Sequence, residues 1–311
     1  MKQTCKKQDG PSTFASRETS RAAMPETEMD TMPVTMPSCR RFMLNAETGL
    51  AYEIFVFVPD APPPPQGFPV IYVLDANSDF ITVAETVRRV SRRPKATGID
   101  PAVVIGIGYP KTGDYNADRR HYDFTRGPAD AGVFPDRDGP DCGGQAAYIR
   151  FLTHRLLPHV AAQIPIDDAR RTLLGHSLAG YFALDLLAQH PDMFASYIAF
   201  SPSIWWDRPV LSASLREAGT MFAGTVHVYA AVGGWEQELA PWQSTEQFGP
   251  RYHQVRQARR MIDNVRELML ELTHAFGARA AVKFEVRDDE DHATVVTSAL
   301  CRALRHVTGR A

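Results

Sequence analysis

Two apolar runs, "PVIYVLD" at 69–75 and "AVVIGIG" at 102–108, restrict the fold of this chain more than any other feature. A strand with one face in water alternates polar and apolar residues. A short, β-branched, uninterrupted apolar run belongs to a strand covered on both faces, inside a parallel sheet with helices on either side. Between the two runs, "FITVAETVRRVSRR" has the spacing of a helix. Further runs follow the same alternation: a short strand at 172–174, a helix after Ser177, then "ASYIAFS", "VHVYAAV" and "AVKFEVR" as strands. Strands that alternate with helices predict one doubly wound α/β domain with a mostly parallel sheet of about eight strands and about six helices.

The remaining segments fit around that frame. "CRRFMLN" and "AYEIFVFVP" read as two strands joined by the polar turn "AETG". One helix is expected from about Gln145 to Gln163. Another is expected from about Tyr252 to His274, with Met261, Val265, Leu268 and Leu272 on one stripe. The segment from Tyr109 to Gly144 and "PSIWWDRP" read as loops, the first long enough to serve function. Residues 1–37 are polar, lack periodicity and are expected to be disordered, leaving a single domain over 38–311.

Composition excludes several classes. A formal net charge of −2 over 311 residues gives no basic face for nucleic acid. The four cysteines, Cys5, Cys39, Cys142 and Cys301, form no CxxC pair or Cys/His cluster, so neither a disulfide scaffold nor a metal site is expected. No run of about 18 apolar residues suggests a membrane helix, and the N-terminal stretch does not read as a secretory signal, so a cytoplasmic protein is expected. "GIGYPK" lacks the third glycine of a dinucleotide-binding turn and opens no helix.

The chemistry centres on "LLGHSLAGYFALDLL". A serine on a sharp strand-to-helix turn exposes its oxygen above the sheet edge. Such a turn also aims the next amide, here Leu178, at a developing oxyanion. Strand and helix crowd there, which requires small residues two before and two after the serine; Gly175 and Ala179 meet this, alanine being the one departure from G-x-S-x-G. Ser177 is therefore read as a nucleophile rather than a helix cap. A hydroxyl needs a base, and the last strand delivers His292 at the end of "RDDEDH". His176, adjacent to the serine, is expected to point away from it. Glu236, after "VHVYAAVGG", is the favoured acid to orient His292, with Glu238 next; the acids at 288–291 are too local to orient the ring easily, and an acid-free dyad is also open. Ala76 or Asn77 in "LDANSDF" is the candidate second oxyanion amide, and Asp75 reads as a turn residue.

With these motifs the chain resembles the putative-esterase branch of the α/β hydrolases. Within it, the likeness is to siderophore esterases that open enterobactin and salmochelin trilactones. The resemblance spans about residues 39–308 and rests on "YVLDANSDF", "VVIGIGYP", "RRHYDFT", "LLGHSLAGYFALDLL", "SPSIWW", "VGGWEQE" and "EDH". It implies an α/β-hydrolase fold and a serine esterase without metal or other cofactor, with Ser177 as nucleophile, His292 as base and Glu236 as acid. The partner it implies is a small-molecule ester, a ferric siderophore among the options. A ferric catecholate is about triply negative and needs cations near the pocket. Lys111, Arg119, Arg120 and Arg126 are candidates, with Trp205 and Trp206 to stack on aromatic rings. The same features would serve a generalist carboxylesterase, a feruloyl or thioester hydrolase, or an acyltransferase; a silent binding protein is the non-enzyme alternative.

Overall fold

The computed structural model describes residues 34–110, 113–129 and 141–308. The expected disordered tail, up to residue 33, and the candidate cation Lys111 lie outside the described residues.

Eight strands form one sheet: β1 (Cys39–Asn45), β2 (Ala51–Phe57), β3 (Phe68–Leu74), β4 (Val103–Gly108), β5 (Ile166–His176), β6 (Ser196–Phe200), β7 (Val226–Gly233) and β8 (Ala280–Arg287). Their order is β1-β2-β4-β3-β5-β6-β7-β8. β2 runs antiparallel to both β1 and β4, and every other pairing is parallel, as the continuous apolar runs require.

The helices are α1 (Ala76–Val90), α2 (Pro94–Thr97), α3 (Ala117–Phe124), α4 (Gln145–Phe151), α5 (Leu157–Gln163), α6 (Leu178–Gln189), α7 (Arg208–Met221), α8 (Thr245–Arg259), α9 (Met261–Phe276) and α10 (Val295–Val307). Alternate residues of each strand supply two cores. On one face Val73, Leu174, Ile198 and Ala231 pack with α1 and α10. On the other, Tyr72, Leu173, Tyr197 and Ala230 pack with α4 to α7 and α9. α6 is buried from Leu178 to Ala188 and, Asp185 apart, apolar all round, as suits a helix between sheet and outer helices.

Several expectations need correction. The strand before Ser177 is longer than 172–174, and there are more helices than about six. α3 lies in the segment read as loop, opened by Asn116, whose side chain accepts from the Arg119 amide at 3.1 Å. α7 follows "WWD" with Leu211, Leu215 and Ala218 buried on one face. The 145–163 helix contains a π-turn over Leu152–Leu156, just before Pro158, which has no amide to donate. The long helix expected over 252–274 is two helices, because Arg260 is left-handed (φ 42°, ψ 46°). Its apolar stripe from Met261 to Leu272 belongs to α9 alone; upstream, Gln254 and Gln257 are exposed.

α1 starts where two glycines of β4 make room. A Cβ on Gly106 would stand 2.6 Å from the Ala76 side chain, and one on Gly108 would stand 2.5 Å from the Asn77 side-chain oxygen. The glycines of "GIG" thus seat the first turn of α1. Asp79, one turn in, is buried, and burial first, then the neighbouring Asp75, raise its pKa to about 6. Between its ordinary value near 4 and about 6 the folded chain holds a proton that the unfolded chain releases, so this group's contribution falls as pH rises through that window. We expect Asp79→Asn to raise Tm by about 3–8 °C at pH 7.5 and to change it little at about pH 4, read by calorimetry. A lower Tm at pH 7.5 would contradict this account.

Candidate active site

β5 ends at His176 and α6 begins at Leu178, so Ser177 turns the chain in a single residue. Its backbone (φ 60°, ψ −119°) lies where a non-glycine residue stays only if its surroundings hold it. Its amide donates to the Phe200 carbonyl (2.9 Å), and its carbonyl accepts from the amides of Tyr181 and Ser203 (both 3.0 Å). A Cβ on Gly175 would overlap the Ala179 carbonyl, so glycine is required there. Ala179 brings only its backbone to that contact, which is why alanine serves in its place.

His292 is carried by the turn after β8. The Asp291 carboxylate accepts the amides of Ala293 (2.8 Å) and Thr294 (3.0 Å), and the Thr294 hydroxyl accepts the Asp291 amide (2.9 Å). Burial works to raise the Asp291 pKa, but these bonds outweigh it and hold the carboxyl below its ordinary value. His292 Nε2 lies 3.0 Å from Ser177 Oγ, and its Nδ1 lies 2.6 Å from Glu236 Oε2. Glu236 is 3% exposed, and its other oxygen accepts from the Gly233 amide (2.6 Å) and the Ser201 hydroxyl. A carboxylate so placed assigns the proton to Nδ1 and leaves Nε2 to accept from Ser177. Glu238, the alternative acid, instead lies 3.4 Å from His253.

Three contacts escaped the sequence reading. His176 does not merely turn away: its Nε2 lies 2.7 Å from the His292 carbonyl. Burial, and next the neighbouring His292, push the His176 pKa down to about 3, so the neutral ring donates to that carbonyl and fixes the His292 turn. Ser201 holds the acid, and Ser203 Oγ lies 3.4 Å from Ser177 Oγ. The one signal for the two serine contacts was "SPSIWW", which carries both residues.

β3 and β5 pair with Val73 opposite Leu174. Continuing that register sets Ala76 beside Ser177, where α1 and α6 both begin. The first amides of a helix have no intrahelical acceptor, so Ala76 and Leu178 bring two such donors to one sheet edge. Asn77 uses its side chain to accept from the Tyr109 amide (2.8 Å) and donate to the Tyr109 carbonyl (3.0 Å).

The serine and histidine open into a cavity of about 180 Å³ roofed by Tyr252, Val255, Arg256 and Arg259 of α8 and walled by Trp205. The Arg259 guanidinium sits 4.2 Å from the centre of a Trp205 ring. Of the expected substrate contacts, Trp205 lines this cavity; Arg119, Arg120 and Trp206 do not. Arg119 pairs with Asp123 (3.4 Å) and lies over Tyr52. Arg120 grips Asp75 at 2.7 Å, so Asp75 is a buried ion-pair partner as well as a turn residue. Arg126 pairs with the buried Asp185, and the Trp206 ring is buried and donates to the Gly127 carbonyl (3.1 Å). The cations that reach the cavity come from α8, whose separate existence the sequence reading missed. Among the described residues, no group of three or more His, Cys, Asp or Glu side chains could hold a metal ion, and no helix is long and apolar enough to cross a membrane.

A family profile described as "Putative esterase" matches residues 46–268. Ferri-bacillibactin esterase BesA of Bacillus subtilis is 37% identical over 275 residues, covering 85% of this chain and 87% of that protein. A siderophore enterobactin esterase of Emericella nidulans is 36% identical over 248 residues, 74% of this chain and 78% of its own length. Among solved structures, siderophore hydrolase EstB from Aspergillus nidulans superposes with a TM-score of 0.76 at 30% identity, covering 89% of this chain and 96% of that one. An eight-stranded, mostly parallel sheet, a serine turn after β5 and these relatives lead to one conclusion: the chain belongs to the putative esterase family, α/β hydrolases that act on ester bonds.

Proposed function

We propose that this protein hydrolyses the ester bonds of a catecholate siderophore, of the enterobactin-like trilactone kind, through an acyl-enzyme on Ser177. The observation that carries the reading is the unbroken hydrogen-bonded series from Ser177 through His292 to Glu236, opening into a cavity bordered by Arg259, Arg256 and Trp205. The named activities of the relatives support a siderophore ester as substrate.

In this mechanism Ser177 Oγ attacks the ester carbonyl while His292 Nε2 takes its proton. Glu236 keeps Nδ1 protonated and offsets the charge that the imidazolium acquires. The Leu178 and Ala76 amides receive the oxyanion. His292 then gives its proton to the leaving alkoxide, and the same ring activates the water that splits the acyl-enzyme. The Arg259–Trp205 pair offers a planar, cationic wall to an anionic aromatic ring.

Mass spectrometry of iron-free and iron-loaded trilactone should show linear trimer, dimer or monomer with the wild type and none with Ser177→Ala. Continued cleavage of p-nitrophenyl butyrate without trilactone products would discard the siderophore and keep the esterase. Full activity in Ser177→Ala would remove the nucleophile. Glu236→Gln, which presents the wrong group to Nδ1, is expected to lower kcat by about 10³–10⁴-fold with KM little changed. Arg259→Gln is expected to raise KM for the trilactone about tenfold while leaving kcat on p-nitrophenyl butyrate near wild type; an equal effect on both substrates would place Arg259 outside substrate selection.

A further inference from the structure

The N-terminal turn of α1 is held at three points, Asp75, Asn77 and Ser78. The Tyr109 peptide groups engage the Asn77 side chain at 2.8 and 3.0 Å. The Tyr115 hydroxyl lies 3.0 Å from the Ser78 hydroxyl, which also reaches Asp79 at 3.1 Å. Arg120 grips a single Asp75 oxygen through Nε (3.1 Å) and a terminal nitrogen (2.7 Å), and its guanidinium lies 5.2 Å from the Tyr115 ring centre. All three holds come from the stretch that follows β4. Two of them meet Asn77 and Ser78 in the first turn of the helix, and the Arg120 hold alone reaches Asp75, the residue that turns β3 into α1. Asp75 is 2% exposed and left-handed (φ 50°, ψ 43°), a conformation that costs a non-glycine residue free energy. Asp75 caps α1 with no side-chain hydrogen bond to the helix. Its carboxylate instead faces Arg120, and the next amide in the chain belongs to Ala76.

We propose that Arg120 is a positioning residue of the oxyanion hole: by holding Asp75 in its left-handed turn, it aims the Ala76 amide at the ester oxygen. This rests on the roles given to Ser177, Leu178 and Ala76 above. A buried charge pair anchored at two nitrogens fixes direction better than a neutral contact. An amide displaced from the oxyanion loses most of its effect on the transition state while leaving ground-state binding alone. Arg120 therefore acts on the rate of the chemical step and not on substrate affinity, although its place in "RRHYDFT" suggested a substrate contact.

The test uses the full chain with Arg120→Gln, Arg120→Lys and Asp75→Asn. It measures kcat and KM for p-nitrophenyl butyrate, and Ki for an alkyl trifluoromethyl ketone, which takes the serine oxygen into a hemiketal whose anion occupies the oxyanion hole. In Arg120→Gln, kcat should fall about 10- to 100-fold with KM nearly constant, and Ki should rise by the same factor. Arg120→Lys keeps the charge without the two-point grip and should fall between Arg120→Gln and wild type. If Arg120→Gln does not fold, Arg120→Lys and Asp75→Asn decide, each expected to lower kcat and weaken the ketone in parallel. Unchanged kcat and Ki in the folded variants would overturn the proposal. So would a raised KM with intact kcat, which would return Arg120 to the substrate. Ser177→Ala separates the underlying reading: if it binds the ketone as tightly as wild type, the nucleophile assignment fails rather than the role of Arg120.

Discussion

The structure depends on holding backbone where it would not rest alone. β3, β5 and β6 lie side by side, and each is followed directly by a non-glycine residue with positive φ: Asp75 at 50°, Ser177 at 60° and Ser201 at 41°. Each such residue costs on the order of 1–3 kcal/mol. The three are held by different means: an arginine on Asp75, backbone bonds to Phe200, Tyr181 and Ser203 around Ser177, and the bond from Ser201 to Glu236. The strain is concentrated where the candidate chemistry is, and two cores packed on opposite faces of the sheet keep it there.

Charge is used in the same way. Arg119, Arg120 and Arg126 each pair with a carboxylate of the protein rather than line the cavity. Arg126 and Gln145 both donate to Asp185, which is fully buried in the helix that follows the serine, and the Gln189 amide donates to Gln145 and to Asp185. Removing one member of such a set leaves a buried charge uncompensated, a larger loss than that of an exposed pair. Within the stretch after β4, Arg126 is thereby tied to α6, while Tyr109, Tyr115 and Arg120 are tied to the start of α1.

Much of this was legible from residue order. Uninterrupted apolar runs gave the parallel strands, because burial on both faces leaves no polar positions, and the small residues around Ser177 marked the turn. The geometry also joins His292 to Glu236 rather than to the nearer acids, as chain order suggested. What was not legible depended on tertiary partners. An arginine in a loop has the same letter whether it meets substrate or Asp75, so Arg119, Arg120 and Arg126 read alike. The break at Arg260 gave no glycine or proline signal. His176 is next to the serine in sequence, but its partner is the His292 carbonyl, 116 residues away.

The break at Arg260 has a consequence for how this scaffold can diversify. α9 buries Met261, Val265, Leu268 and Leu272 in the core, whereas α8 has no fully buried residue among its described side chains. α8 is held instead by Arg256, which donates to the carbonyls of Trp235 (2.7 Å) and Glu238 (2.8 Å) on the loop that carries Glu236. The roof of the cavity is thus fastened to the loop of the acid by polar bonds and carries little of the weight of the fold. Residues on α8 can be exchanged at small cost to the sheet, so the lining of the cavity can change while Ser177, His292 and Glu236 keep their places. The same fastening means that a ligand pushing on the roof pushes on Glu236.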